Sequence, residues 1–175
     1  VADELARSGV RTTYLCREVT PWVAQLLETR GHDLHRLDLP HDTCQTGAGE
    51  ATAAVIKANG VDTGLLDHYD LTGAWTDVLK SSTGCRIAAF DDLAMAPRRV
   101  DILIDTSPGR VESEYRALVP EDAVCLTGPT YAPLRPEFAL ARQTHTPVHT
   151  GPVRDVIYMG GADPTGMSIT CLTAL

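Results

Sequence analysis

Polar side chains that could contact a ligand follow some of the short apolar runs in this 175-residue chain. Asp67, His68 and Tyr69 come directly after Leu65–Leu66. Ligands of open α/β sheets bind beyond the carboxyl ends of the strands, so these three groups are placed to meet a substrate. The imidazole could act as a base near neutral pH, and the tyrosine could hydrogen-bond to a sugar ring or pack on it. The alternative is structural: Asp67 caps the next helix, and His68 is a solvated loop residue.

Two carboxylates, Asp91 and Asp92, follow another apolar run that ends at Phe90. Paired acids can bind Mg²⁺ or share a proton. Adjacent residues of a strand point to opposite faces, however, so these two do not converge on one ion unless the strand has already turned. We therefore expect one carboxylate to accept hydrogen bonds from loop N–H groups and the other to face solvent.

A glycine-rich turn, Gly160-Gly161-Ala162-Asp163, separates the β-like run Asp155–Met159 from the helical pattern Thr165–Leu175. Paired glycines let a backbone approach an anion closely, and the first N–H groups of the following helix supply partial positive charge. The same pattern also fits a tight turn in which Asp163 caps the helix. The sequence leaves both interpretations open.

A proline-rich segment, Thr127–Phe138, offers further polar groups. Tyr131 is a candidate substrate contact. Arg135 could meet a diphosphate, although an ion pair with Glu137 is the more ordinary interpretation.

The cysteines and histidines do not form a metal-binding pattern. The five cysteines are odd in number and widely spaced, with no C-x-x-C pair, so they indicate neither a disulfide framework nor a zinc site. His145 and His149 are four residues apart, but the segment around them has no helical pattern to bring them together. We therefore predict no metal and no cofactor.

The charge balance argues against nucleic acid as a partner. The formal net charge is −8, and only Arg98 and Arg99 form a contiguous basic pair, whereas neutralising phosphates takes clustered cations. A nucleotide diphosphate can still bind locally to backbone N–H groups. No apolar run approaches the roughly 18 residues of a membrane span, and no signal peptide is visible. We expect a cytoplasmic protein; the sequence does not indicate its oligomeric state.

The elements that must position these groups alternate between short strands and helices. The predicted strands are Arg11–Cys16, Asp33–Leu37, a run ending at Leu65–Leu66, Arg86–Phe90, Ile102–Ile104 and Val124–Leu126. The predicted helices are Val1–Gly9, Pro21–Thr29, Gly49–Asn59 with an apolar face of Ala51, Ala54, Val55 and Ala58, and a helix around Ala74–Lys80. Short apolar strands that alternate with helices are typical of parallel sheets covered on both faces. An α/β fold with a Rossmann-like parallel sheet is therefore predicted.

Two features of the pattern predict the domain organisation. The first helix has no N-cap residue ahead of it, so we expect the chain to start inside an element. Residues 143–152 contain two prolines and two histidines and are predicted to be a linker. The expected domains are residues 1–142, and residues 153–175 as the first strand and helix of a second domain.

Six sequence blocks, taken in order, carry a resemblance to a known family. The blocks are LLDHYDLTGAW, IAAFDDLA, VDILIDTS, EYRALVP, GPTYAPLRPEF and DVIYMGGADPTGMS. They resemble the UDP-2,4-diacetamido-2,4,6-trideoxy-β-L-altropyranose hydrolases of pseudaminic acid biosynthesis, which are grouped with spore-coat polysaccharide proteins and are more distantly similar to MurG-type glycosyltransferases. The resemblance spans essentially Ala2 to Leu175, although the first third matches only in pattern.

The resemblance implies a GT-B architecture, in which two Rossmann-like domains face each other across a cleft and the C-terminal one holds most of the nucleotide. It implies a reaction in which water displaces UDP at the anomeric carbon with inversion, giving a free sugar and UDP. That step needs a base to activate water and donors for the leaving diphosphate, and it requires no metal if the donors are in place.

Residue roles follow from the same resemblance. Tyr69 would contact the sugar, and Asp67 and His68 would shape its loop. Gly160 and Gly161 would form part of a glycine-rich loop at the nucleotide, and Asp163 would hold the turn of that loop.

The chain also departs from the family. The family's expected catalytic histidine belongs to a G-x-G-H-x-x-R loop that would lie upstream of residue 1, so the domain would lack its first strand. We expect the 175-residue chain itself to be inactive. Two alternatives remain: a GT-B glycosyltransferase that uses a UDP-amino sugar, and a non-catalytic module that binds sugar nucleotides.

Overall fold

The computed structural model describes residues 1–144, 156–159 and 163–174. The chain divides into two compact units, Val1–Pro133 and Leu134–Leu175. The first unit contains the strands and helices that surround the candidate site.

The first unit alternates strands and helices, as the sequence predicts. The strands are β1 (Thr13–Cys16), β2 (Asp33–Arg36), β3 (Thr63–Leu66), β4 (Arg86–Phe90), β5 (Ile102–Asp105) and β6 (Val124–Thr127). The helices are α1 (Ala2–Arg7), α2 (Pro21–Thr29), α3 (Gln45–Asn59) and α4 (Gly73–Thr83), with short 3₁₀ turns at Glu112–Glu114 and Pro129–Tyr131. The second unit contributes α5 (Pro136–Thr144) and α6 (Met167–Thr173).

The strands pair in parallel but form two sheets. Strands β1 and β2 pair with each other, and the second sheet has the order β3-β4-β5-β6. Strands β1 and β3 each have one strand neighbour, so no strand pairing joins the two sheets within the described residues. The α/β class and the parallel strands are confirmed and are consistent with a Rossmann-like fold, whereas the expected continuous sheet is divided.

The ends of the helices follow local chemistry. Thr20 is the N-cap of α2, where its hydroxyl accepts a hydrogen bond from the Val23 N–H at 3.3 Å, and Pro21 occupies the first helical position. Gly60 and Gly84 end α3 and α4 in the left-handed conformation, with φ of 61° and 67°. Glycine adopts this conformation without a Cβ clash, so both stops are encoded locally.

The core lies between the second sheet and the helices α3 and α4. It contains apolar residues from β4 and β5 together with Leu79 of α4 and Tyr115, which follows a 3₁₀ turn. Helices α3 and α4 approach closely at Gly49, where an added Cβ would lie 3.0 Å from the Val78 Cβ. The small residue therefore allows the two helices to pack.

The predicted apolar face of α3 was only partly right, since Ala51 and Val55 are half-buried. Ala54 and Ala58 are exposed, whereas the buried positions are Gly49, Thr52, Ala53 and Ile56. Thr52 can be buried because its hydroxyl donates to the Ala48 carbonyl oxygen at 2.8 Å. The alanines form the apolar face if threonine is counted as a polar residue. In the helix, however, the threonine hydroxyl is satisfied by a hydrogen bond to the backbone four residues earlier, so the side chain can be buried.

Predictions for the second unit also need correction. Residues 143 and 144, which were assigned to the linker, belong to α5, a helix that the sequence analysis did not predict. Pro136 at its first position and Glu137 in its first turn favour this helix start. Residues 156–159, the described part of the predicted strand Asp155–Met159, form no strand. The rest of the predicted linker, residues 145–152, lies outside the described residues.

The predicted ion pair between Arg135 and Glu137 is not formed in the described part of the chain. The Arg135 guanidinium carbon instead lies 5.4 Å from the centroid of the Phe138 ring. A cation over an aromatic face is an alternative favourable contact for this side chain.

Across the described ranges, no helix combines the length and the apolar character needed to cross a lipid bilayer.

Candidate functional site

Three neighbouring strands of the second sheet end in a row of aspartates. Asp67 follows β3, Asp91 follows β4, and Asp105 is the last residue of β5. Because β3, β4 and β5 are parallel neighbours, their carboxyl ends meet at one edge of the sheet. A cavity of about 250 Å³ opens there. Its lining residues are Asp67, His68, Tyr69, Phe90, Asp91, Asp92, Ile104, Asp105, Thr106 and Pro133.

The structure therefore brings together two of the groups that the sequence singled out. Asp67, His68 and Tyr69 share one cavity with Asp91 and Asp92. Tyr131 is 46% exposed and is not among the lining residues, so its role in substrate binding stays a prediction.

The two adjacent aspartates play different parts, as the sequence analysis expected. Asp91 is buried and accepts hydrogen bonds from the N–H groups of Leu93 and Ala94 at 2.9 and 3.2 Å. It also forms an ion pair with buried Arg98, whose Nε lies 3.1 Å from Asp91 Oδ2. Asp92 is exposed.

Arg98 connects two of the loops around the cavity. Its guanidinium binds Asp91 beyond β4 and donates through Nη1 to the backbone carbonyl of Leu71, which lies between β3 and α4. A buried guanidinium is stable only when such partners satisfy it. We infer that this pair holds the loop after β3 against the loop after β4.

Asp105 is the centre of a second buried network. Its carboxylate accepts hydrogen bonds from the Ser107 N–H at 2.8 Å and from the Tyr115 hydroxyl at 2.7 Å, and Arg110 Nε lies 2.7 Å from Oδ2. Burial alone raises the pKa of Asp105, but these hydrogen bonds and the Arg110 charge outweigh burial and lower it below its ordinary value. The carboxylate is therefore ionised at neutral pH. Burial and the neighbouring Asp105 carboxylate strongly raise the pKa of Tyr115, which keeps its hydroxyl a donor.

Tyr69 and Asp92 meet at the mouth of the cavity. The Tyr69 hydroxyl lies 3.4 Å from Asp92 Oδ2 and donates to it, and the tyrosine ring is largely exposed. The Asp92 carboxylate raises the pKa of Tyr69, so this hydroxyl stays protonated. Arg110 Nη2 donates to the Asp92 backbone carbonyl at 2.6 Å. The Asp105 network thus also supports the loop that carries Asp92.

His68 is oriented by its own loop. Its Nδ1 accepts a hydrogen bond from the Asp70 N–H at 3.1 Å. A neutral imidazole with an accepting Nδ1 carries its proton on Nε2, so His68 offers a donor rather than a base in this arrangement. The alternative in which Asp67 caps the next helix was wrong, since the N-cap of α4 is Thr72, whose N–H donates to Gln45 Oε1 at 2.9 Å.

Sequence reasoning missed Asp105, Arg98, Arg110 and Tyr115. One signal for Asp105 was present: each of the runs LLD, AFD and LID ends in an aspartate. Three successive strands with that ending predict a carboxylate row at one sheet edge. The arginines and Tyr115 carried no such signal, because their partners are set by the folded loops.

The nucleotide-binding residues proposed from the sequence belong to the second unit. Gly160 and Gly161 lie outside the described residues. Asp163 has a φ of 37°, and its carboxylate accepts hydrogen bonds from the N–H groups of Met167 and Ser168 at 2.9 and 3.0 Å. These contacts satisfy two N–H groups in the first turn of α6, whose N-cap residue is Gly166, and they lower the pKa of Asp163. Whether these residues bind a nucleotide stays a prediction.

A wider depression of about 720 Å³ lies along α2 and β2. It includes His32, whose Nδ1 lies 2.7 Å from the Thr12 hydroxyl oxygen and whose Nε2 lies 2.8 Å from Asp3 Oδ1. The hydroxyl, imidazole and carboxylate lie where β1 and β2 begin. Ligands of parallel sheets bind at the opposite end, beyond the carboxyl ends of the strands, so this cluster is placed for stability. The hydrogen bond from His32 lowers the pKa of Asp3, which fits an imidazole that donates through Nε2. We interpret the cluster as a tie between α1 and the first sheet.

No three His, Cys, Asp or Glu side chains are arranged to hold a metal ion in the parts of the chain that the structure describes.

The fold and the cavity define an α/β protein with a small recess at the carboxyl ends of parallel strands. No model of a known protein family matches the chain. Over 84 residues the chain is 32% identical to the UDP-2,4-diacetamido-2,4,6-trideoxy-β-L-altropyranose hydrolase of Campylobacter jejuni. The matched segment is 48% of this chain and 30% of the length of that hydrolase. This similarity supports the resemblance to that hydrolase over about half of the chain, and it does not extend to the two-domain architecture.

Proposed function

We propose that this chain carries the sugar-binding part of an enzyme that hydrolyses a UDP-linked 2,4-diacetamido-2,4,6-trideoxy sugar to free sugar and UDP. The observation that carries the proposal is the cavity at the ends of β3, β4 and β5, where Asp67, His68 and Tyr69 meet Asp92. The partial similarity to the Campylobacter hydrolase supports the same assignment.

The dimensions of the cavity favour one sugar over a whole nucleotide sugar. Its volume of about 250 Å³ lies below the range of about 300–1,000 Å³ that is usual for complete small-molecule sites. Phe90, Ile104 and Pro133 supply apolar wall, and the exposed Tyr69 ring offers a face for the sugar. The resemblance implies that most of the nucleotide would bind to a second domain, to which Gly160, Gly161 and Asp163 would belong.

The polar groups of the cavity can bind and orient the sugar. The Asp92 carboxylate accepts hydrogen bonds from hydroxyl or amide N–H groups, while His68 Nε2 donates to a sugar oxygen. The Tyr69 hydroxyl stays protonated and can exchange its contact with Asp92 for one with the ligand. The ion pairs Asp91–Arg98 and Asp105–Arg110 hold the loops and leave the exposed groups free for the sugar.

Calorimetric titration of the 175-residue chain with the UDP-linked diacetamido sugar tests the proposal. We expect binding that Tyr69→Ala weakens about tenfold or more, because the variant loses both the ring face and the hydroxyl. Asp122→Asn, an exposed site that does not line the cavity, is the matched control and should bind like the parent chain.

We expect the 175-residue chain to bind without turnover, so release of UDP is measured on the full-length parent protein, where it separates the candidate functions. Release in water alone supports hydrolysis, and release that needs an added acceptor alcohol supports a glycosyltransferase. Binding with no release in either mixture supports a binding module. Absence of binding contradicts the proposal.

A further inference from the structure

The charges around the cavity are unbalanced. Four of its lining residues are aspartates, at positions 67, 91, 92 and 105. Asp91 and Asp105 are compensated by the arginine partners described above, with N–O distances of 3.1 and 2.7 Å. The carboxylate oxygens of Asp67 and Asp92 have no nitrogen of a cationic side chain within 4.0 Å in the described part of the chain.

Arg110, which contacts the Asp92 backbone, forms no ion pair with the Asp92 carboxylate within the described residues. Arg110 directs its Nε to Asp105, its Nη1 to Glu114 and its Nη2 to the backbone carbonyl of Asp92. Each of its three nitrogens thus contacts a group other than the Asp92 carboxylate. The side-chain partner of that carboxylate among the lining residues is the neutral Tyr69 hydroxyl.

We infer that Asp67 and Asp92 make this cavity selective against acidic sugars, so that the bound sugar carries hydroxyl, amide or amino groups and no carboxylate. This inference rests on the proposed function and adds the residues that exclude a negatively charged sugar. The carboxylates accept hydrogen bonds from O–H and N–H groups. A uronic acid carboxylate in the same space would instead meet two like charges at short range, with only partial screening.

A pair of commercially available nucleotide sugars isolates this effect. UDP-glucose and UDP-glucuronic acid differ at one carbon, which bears CH₂OH in the first and a carboxylate in the second, so the nucleotide contributes equally to both. We expect the 175-residue chain to bind UDP-glucose about tenfold more tightly or better in calorimetric titrations at low salt. The ratio should fall toward one as ionic strength rises, because the Debye length shrinks to about 3 Å at 1 M salt.

Variants assign the effect to the two residues. The double variant Asp67→Asn/Asp92→Asn should reduce the affinity ratio to below about threefold, since each amide keeps a hydrogen-bonding oxygen without the charge. Asp122→Asn, which removes the same charge outside the cavity, should leave the ratio unchanged. Both substituted aspartates are exposed, and unchanged urea unfolding of the double variant confirms that the fold is intact.

The outcomes separate this inference from the proposed function. Equal affinities for the two ligands, or a ratio that survives in the double variant, would overturn the inference and leave the proposed function standing. If the chain binds none of the three ligands, UDP-glucose, UDP-glucuronic acid and the diacetamido substrate, the proposed function is contradicted. The inferred selectivity is then contradicted as well.

Discussion

Removal of the Tyr115 hydroxyl by Tyr115→Phe probes the buried network beneath the cavity. Tyr115 is 0% exposed, and its hydroxyl oxygen lies 2.7 Å from both the Asp105 Oδ2 and the Asp91 backbone carbonyl oxygen. One hydroxyl has one proton, so it donates to one of these oxygens at a time. The variant keeps the ring and its packing and deletes only this donor.

The expected loss of stability follows from the charge on the acceptor. A hydrogen bond to a charged group contributes about 1.5–3 kcal/mol to stability. Asp105 keeps the Ser107 N–H and the Arg110 guanidinium as partners, so its carboxylate is not left unpaired. We therefore expect the free energy of unfolding to fall by about 1.5–3 kcal/mol at pH 7.

Urea unfolding followed by tryptophan fluorescence measures this loss. Trp75 is 8% exposed and belongs to the same core as Tyr115, so its emission reports on that core, whereas Trp22 is 69% exposed. Tyr131→Phe is the matched control: Tyr131 is 46% exposed, and its hydroxyl forms no hydrogen bond within the described residues. The control should change stability by less than about 0.5 kcal/mol.

The pH dependence of the free energy of unfolding supplies a second test of the contact between Tyr115 and Asp105. The pKa of Asp105 is lowered in the folded chain from 3.8, so its ionised form contributes stability that is present above that value and lost as pH falls through the folded pKa. Phenylalanine at position 115 removes one of the hydrogen bonds that lower this pKa. The difference in the free energy of unfolding between the parent chain and the variant should therefore have its full value at pH 7 and should decrease as the pH falls below about 4.

A loss below about 0.5 kcal/mol, or one no larger than that of Tyr131→Phe, would refute the reasoning. A full loss that stays constant down to the lowest pH at which both chains fold would show instead that the hydroxyl acts through Asp91 or through packing, and not through the Asp105 carboxylate.

Two further changes test the packing and the ends of the second sheet. Gly49→Ala places a Cβ 3.0 Å from the Val78 Cβ, so we expect urea unfolding to show that the free energy of unfolding falls by about 1–3 kcal/mol. The control is Gly47→Ala, where the nearest neighbour of the added Cβ is the Thr43 methyl at 3.2 Å, and it should be neutral or slightly stabilising. Equal effects of the two substitutions would contradict the close approach of α3 and α4. Asp101 accepts hydrogen bonds from Lys80 Nζ at 2.8 Å and from the Ile87 N–H at 2.7 Å, which outweigh its burial and lower its pKa. Because the pair is partly exposed, Asp101→Asn should lower the free energy of unfolding by about 1 kcal/mol at neutral pH. That loss should disappear as the pH falls through the lowered pKa of the parent carboxylate, and a loss independent of pH would argue against the ion pair.

Local sequence was sufficient for most elements of the first unit. Pro21 and Thr29 bound α2 in both the prediction and the structure, and the predicted strand Arg86–Phe90 coincides with β4. These signals are local, because a proline at a helix start and a short apolar run between turns act over a few residues. Helix α5 was missed because its apolar side chains are exposed and show no regular apolar face.

The candidate site was predictable only in parts. The sequence itself places Asp67, His68 and Tyr69 after one apolar run and the pair Asp91 and Asp92 after another. That both sets line one cavity depends on β3 and β4 being parallel neighbours, and strand order follows from pairing between distant segments.

The partners of the buried charges were decided by tertiary structure alone. Arg98 pairs with Asp91, and Arg110 and Tyr115 converge on Asp105 with Ser107, although nothing in the order of these residues distinguishes them from solvated loop side chains. The cause is physical: burial makes an unpaired charge costly, so a charge that the fold encloses must find its partner, while the same side chain on a surface loop need not.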